Sequence, residues 1–138
     1  MIVPWASELP TLDMLGLTDA HIAHVPIPLG RGVYGHEKHD GGYVLRRRPG
    51  VVILGLPSLA RRPPRPEHLD AWVARWARDL PGDGELYNNP AFRRMYLPVG
   101  VNIAGHGWLL LFVRRDVPVF RPAPSVAPSP GPGAPSGA

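Results

Sequence analysis

The chain has 138 residues, with 15 Lys+Arg against 11 Asp+Glu, a formal net charge of +4 and a pI near 10.1. It contains no cysteine, which excludes disulfides, thiolate nucleophiles and thiolate metal sites together. No stretch approaches the roughly 20 apolar residues of a membrane-spanning helix, and MIVPWASELP lacks the basic-then-apolar order of a signal peptide.

The 19 prolines and 16 glycines are unevenly spread. Arg121–Ala138 is almost wholly Pro, Ala, Ser and Gly and lacks the apolar mass to offset chain ordering, so it reads as a disordered tail. Residues 1–9 read as an irregular remnant, and 10–120 as a single small α/β domain. The basic excess is arginine, since Lys38 is the only lysine. It comes in short clusters such as Arg46, Arg47, Arg48 and Arg61, Arg62, Arg65. Such a surface suits nucleic acid or an anionic membrane face, and composition does not choose between them.

In chain order, Thr11–Leu15 alternates as a short strand that Gly16 ends. Thr18 offers an N-cap for a short helix DAHIAH, with Ile22 and Val25 turned inward and Pro26 and Pro28 beyond it. Leu29–Gly42, with five glycines in LGRGVYGHEKHDGG, is a long exposed loop. Asp40 caps a second helix, Gly42–Arg47, which Pro49 and Gly50 stop. Val51–Leu56 is apolar on both faces and predicts a central strand.

A Pro/Arg linker follows over 57–66. The spacing of Leu69, Trp72, Val73, Trp76 and Leu80 then predicts a helix over 67–80, ended by Pro81, Gly82 and Gly84. Asn89 with Pro90 starts another short helix, AFRRMY, whose Phe92 and Tyr96 share a face. Two strands, Leu97–Ile103 and Trp108–Arg114, are joined by AGHG as a hairpin, and WLLLFV reads as buried on both faces. The sum is an α/β fold: a three- to four-stranded mixed sheet with helices packed on it and a C-terminal β-hairpin.

Candidate chemistry is sparse. His21, His24, His36, His39 and Asp40 are metal-ligand types, but HEKH lacks the HExxH spacing that sets two histidines on one helical face, so no metal is expected. GRGVYG follows a proline-stopped helix rather than a strand, which argues against a phosphate loop. A serine hydrolase would have to use Ser7 or Ser58, neither in a nucleophile-elbow context. The arginine clusters are not interleaved with aromatics, so nucleic acid is not an expected partner. Trp72 and Trp76 read as core.

Taken as an ordered series, the pieces at Asp13–Ala23 (DMLGLTDAHIA), Gly35–Lys38 (GHEK), Tyr43–Val52 (YVLRRRPGVV), Pro90–Val99 (PAFRRMYLPV) and Trp108–Arg115 (WLLLFVRR) carry a resemblance. The series is similar to the C-terminal soluble region of bacterial polytopic membrane glycosyltransferase-like proteins, the arabinofuranosyltransferase-like relatives of GT-C type. It departs at Gly50, where that pattern has Asp. The resemblance implies an extracytoplasmic accessory domain, or a detached fragment, acting in cell-envelope glycan assembly. The catalytic carboxylate and the polyprenyl-phosphate-sugar site of such proteins lie among their membrane helices, so the resemblance places no catalytic residue here. It implies the transmembrane region of a parent or partner glycosyltransferase as partner, with a glycan acceptor, and no cofactor.

Within that expectation His36, Glu37, Lys38 and Asp40 are the candidate substrate-binding residues, charged groups on a glycine-held loop suited to sugar hydroxyls. The plainer reading, and the favoured one, is that His36 and Glu37 only satisfy backbone groups of the loop and cap the helix after it. The alternative function is a stand-alone basic binding module for nucleic acid or another anionic polymer.

Overall fold

The computed structural model describes residues 9–55, 60–63 and 65–118. The expected tail, 121–138, and residues 1–8 of the N-terminal stretch lie outside the described residues.

The N-terminal segment differs from the expected strand. The buried Asp13 carboxylate accepts from Leu15 N (3.0 Å), Thr18 N (2.9 Å) and Thr18 Oγ1 (3.2 Å). These bonds, with Gly16 N donating to Asp13 O at 3.2 Å, fold the chain into a turn at 14–15 in place of a strand. Helix α1 (Ala20–Ala23) is capped by Asp19 rather than Thr18, through Ile22 N at 3.0 Å. Ile22 is fully buried, as its spacing predicted. Helix α2 (Gly41–Arg47) has the expected Asp40 cap, whose carboxylate accepts from Tyr43 N at 2.7 Å, begins one residue before the expected Gly42, and ends at Arg48 in a left-handed conformation (φ 50°).

The apolar run after it is not a central strand. Strand β1 covers only Val51–Val52 and lies at the sheet edge. The remaining apolar residues serve another purpose, because the chain leaves the sheet and plugs Leu54 into the core before turning at Gly55. A strand and a core plug in succession look like one long buried strand in sequence.

A 3-10 turn (Pro66–His68) leads into α2's larger counterpart, helix α3 (Leu69–Ala77), which buries Leu69 and Val73 and half-buries Trp72 and Trp76. The predicted stripe is present, but the helix stops three residues early. Pro81, Gly82 and Gly84 do not merely end it: Pro81 is the first residue of a further helix, α4 (Pro81–Asn88). Its glycines allow close packing. A Cβ at Gly82 would stand 2.6 Å from His39 Cβ, and one at Gly84 would stand 2.7 Å from Ala77 Cβ. Asn89 caps α5 (Pro90–Met95) through Ala91 N at 2.9 Å, and β2 (Tyr96–Ile103) and β3 (Gly107–Arg114) form the expected hairpin.

The described sheet has the order β1–β3–β2, and both pairings are antiparallel. Its inner face presents Val52, Tyr96, Leu110 and Phe112 to the helices. Phe92 stacks on Tyr96 at 4.8 Å and sits 5.3 Å from Phe112, and Tyr87 closes the group at 5.8 Å from Phe112 and 6.4 Å from Phe92. Burying each such ring contributes about 1.5–3 kcal/mol. The expected α/β fold, with helices on a small sheet and a C-terminal hairpin, is therefore present.

The glycines of α2 and α4 should respond oppositely to alanine. Gly84→Ala forces a methyl into the α3–α4 contact and should destabilise by about 1–3 kcal/mol. Gly42→Ala meets only side-chain atoms, at 3.3 Å and beyond, and should stabilise by up to about 1 kcal/mol. Urea unfolding of both variants checks the pair.

Candidate functional site

The 29–42 loop is held together by the side chains that made it a candidate site. Glu37 is buried, and its Oε1 accepts from Gly30 N at 2.5 Å, closing the loop on itself. Lys38 Nζ donates to the carbonyl of Val25. Asp40 caps α2 with one oxygen and takes a 2.8 Å bond from His21 Nε2 on the other. The hydrogen bond from His21, then that from the Tyr43 amide, and more weakly the charge of Arg46, hold the Asp40 carboxyl below its ordinary range. His36 places Nδ1 in the interior with no hydrogen-bond partner.

These four side chains do not converge. Glu37 turns to Gly30, Lys38 to Val25, and Asp40 to α1. The histidines weighed as ligands are likewise separated. His24 Nδ1 lies 2.7 Å from Ala20 O, His39 Nδ1 bonds Glu85 Oε2 at 2.6 Å, and His21 stacks on Tyr43 at 4.0 Å. Among the described residues no group of three or more His, Asp or Glu is placed to hold a metal ion. Ser7 and Ser58 lie outside the described residues.

The glycines of GRGVYG also have a packing role. Gly32 takes φ 97°, and a Cβ there would stand 2.6 Å from Asp79 O, while Val33 N donates to that same carbonyl at 2.8 Å. The loop is pressed onto the end of α3, and a left-handed glycine is the residue that fits. A small cleft of about 250 Å³ beside it is lined by Ile27, Pro28, Arg31, Glu37, His39 and Pro81.

A larger cleft, about 310 Å³, opens elsewhere, between the residues before α3 and the hairpin. Arg62, Arg65 and His68 stand on one side, with Trp72, Trp108 and Leu110 around them. Ala60 and Trp108 exchange both backbone hydrogen bonds, at 2.8 and 2.7 Å, and so bring the Pro/Arg segment to the hairpin. Arg62 and His68 make no ion pair among the described residues, and Arg65 reaches Glu67 only at 3.9 Å. The aromatic and basic residues that are far apart along the chain are therefore neighbours in space. Sequence reading missed them because the Ala60–Trp108 bridge has no local signal.

A buried carboxyl lies at the Gly55 turn. Asp83 in the first turn of α4 is 3 % exposed and accepts from Gly55 N, beside the Trp72 and Trp76 rings that Gly55 approaches. Burial pushes its carboxyl up to about 6 from the ordinary 3.8, against the opposing pull of the Gly55 amide.

A family model matches residues 2–108, most of the chain. The chain belongs to that family, described as a domain of unknown function, DUF8728. No curated protein and no solved structure matches it. The DUF8728 stretch includes the whole 29–42 loop and every lining residue of the larger cleft named above except Leu110. Among the described residues, no helix is long and apolar enough to cross a membrane.

The buried Asp83 makes stability depend on pH. Its folded pKa lies above its unfolded value, so the folded state holds the proton more tightly. Below about 3.8 both states are protonated and nothing is lost; between 3.8 and about 6 stability falls as pH rises, and above 6 the cost is complete. A shift of that size corresponds to up to about 3 kcal/mol. Asp83→Asn, which keeps an acceptor for Gly55 N, should match the parent at pH 4 and exceed it at pH 7 in urea unfolding.

Proposed function

We propose that this domain is a non-catalytic accessory module of a membrane glycosyltransferase-like system, working on the extracytoplasmic side in cell-envelope glycan assembly. Its task is to hold a glycan, and its site is the Trp72–Trp108 cleft rather than the 36–40 loop. The observation that carries this reading is the composition of the cleft: two indoles beside three basic side chains, with Arg62 and His68 unpaired among the described residues.

Indole faces pack against the apolar faces of sugar rings while their N–H remains free to bond, and guanidinium forks take phosphate or carboxylate groups in pairs. A cleft of about 310 Å³ has the size of a small-ligand site. The resemblance of the Asp13–Arg115 series to the soluble region of arabinofuranosyltransferase-like proteins supports the glycan and the membrane setting. So does the way Asp13, Asp19, Glu37 and Asp40 are engaged in turns and caps that steady the domain. The placing of Trp72 and Trp108 in one cleft with Arg62 also favours a second reading, a single-stranded nucleic acid held by base stacking and phosphate contacts.

Titration of tryptophan fluorescence separates the two. The probes are a phosphorylated arabino-oligosaccharide, its neutral counterpart, and a single-stranded oligonucleotide of similar charge, at two salt concentrations. The phosphorylated glycan should bind at least tenfold more tightly than the neutral one, about 1.4 kcal/mol. Trp108→Ala and Arg62→Ala should each weaken it by about the same factor, with unfolding curves close to the parent. Tight, salt-sensitive oligonucleotide binding without glycan binding would replace the first reading by the second.

A further inference from the structure

Three arginine clusters that are far apart in the sequence meet at one end of the fold. Arg48 closes α2, Arg94 lies in the last turn of α5, and Arg114 and Arg115 stand at the end of β3. The contacts that join them are direct. Arg114 Nη1 donates to the carbonyl of Arg48, and Arg114 N donates to Gly50 O at 2.9 Å. Arg115 Nε donates to Arg94 O at 2.8 Å, and Arg115 N to Met95 O at 2.8 Å.

Those bonds end on neutral carbonyls and leave the charges in place. Among the described residues, Asp116 is the only carboxylate that the four meet: it pairs with Arg114, and with Arg48 at 3.1 Å. The hydrogen bond from Arg114, and then the charges of Arg114 and Arg48, hold the Asp116 carboxyl below its ordinary range, so it stays ionised. Four guanidinium groups against one carboxylate leave a surplus of three positive charges at this end, on a chain whose formal net charge is +4. Arg48, Arg94 and Arg115 are exposed, and the Arg94 guanidinium has no partner among the described residues. Complementing a helix dipole accounts for a basic side chain at the end of α2 or α5. It accounts neither for the pair on β3 nor for an arginine at φ 50°, where glycine is the usual cap.

The neighbours of the cluster choose its partner. Leu97 and Val51 are 40 % and 47 % exposed, and both pair with Val113, the residue before Arg114. Tyr96, the partner of Arg114 in the sheet, is buried and offers no ring for stacking. A nucleic acid would bring phosphates to the arginines but finds no exposed aromatic ring here for its bases. An anionic bilayer brings phosphates together with an apolar layer that accepts exposed aliphatic side chains.

We propose that this end of the domain docks on anionic phospholipid, with its guanidinium groups on headgroup phosphates and Leu97 and Val51 at the edge of the acyl layer. The surface shares no residue with the Trp72–Trp108 cleft, and its test involves no glycan, so it stands if the glycan reading fails.

The test is co-sedimentation of the full chain with phosphatidylcholine vesicles, with and without phosphatidylglycerol, at low and at moderate salt. Only the vesicles with phosphatidylglycerol should bind, and added salt should weaken the binding. Arg94→Gln, whose side chain has no partner to lose, should weaken it about fivefold, the effect of one charge near an anionic surface. Asp116→Asn removes the opposing charge and should strengthen it by about the same factor. Leu97→Ser should weaken it at both salt concentrations. Arg78→Gln, after α3, changes the net charge equally and should leave binding as in the parent. Urea unfolding of each variant checks that the fold is retained. Equal losses from Arg94→Gln and Arg78→Gln would reduce the effect to net charge and overturn the proposal. So would an absence of binding to phosphatidylglycerol, or binding of an oligonucleotide through the same arginines without binding of lipid.

Discussion

The structure depends on how closely α4 approaches what surrounds it. Two glycines, Gly82 and Gly84, remove the methyl groups that would strike His39 and Ala77. With the helix that near, its other side chains each secure a different part of the chain. Asp83 accepts from Gly55 N and fixes the turn after β1. Glu85 binds His39 and the Gly41 amide, and so attaches the long loop and the start of α2. Tyr87 donates to Asp70 on α3 at 2.8 Å while its ring meets Phe92 and Phe112 in the core. A helix of eight residues containing two glycines has little intrinsic stability. It persists because Asp83, Gly84, Leu86 and Tyr87 are buried in tertiary contact.

That arrangement explains what could be read from the sequence and what could not. Features set by neighbours in sequence were legible: the Asp40 cap, Asn89 with Pro90, the stripe from Leu69 to Leu80, and the hairpin around AGHG. Features set by distant contacts were not. Gly82 and Gly84 look like helix stops, because the cost of glycine in a helix is local while the contact it permits, to His39 or Ala77, is not. Val51–Leu56 looks like a central strand because the core plug Leu54 and the strand residue Val52 have the same apolar signature. Asp13 sits in an apparent strand, and only its burial beside Thr18 shows that it organises a turn.

The candidate loop illustrates the same division for function. His36, Glu37, Lys38 and Asp40 were conspicuous because polar residues cluster there between glycines. A long loop must satisfy many backbone groups, and the cheapest partners are its own side chains. Glu37 to Gly30 and Lys38 to Val25 do this. The residues around the larger cleft have the reverse property. Arg62, His68, Trp72 and Trp108 are unremarkable where they stand in the sequence, and become a group only through the Ala60–Trp108 bridge.

Strand β3 joins these themes, because its alternation assigns neighbouring residues to different tasks. Trp108, Leu110 and Phe112 face inward, the first two at the cleft and the third in the aromatic core. Leu109, Leu111 and Val113 take the opposite face of the sheet, where Val113 is buried and the two leucines are half-buried. Period-two geometry means that neither set can be altered by a register slip without exchanging both. The pairing from Tyr96–Arg114 to Ile103–Gly107 fixes that register over its whole length. A ligand seated on Trp108 would therefore bear on the same backbone that carries Phe112 into the aromatic core.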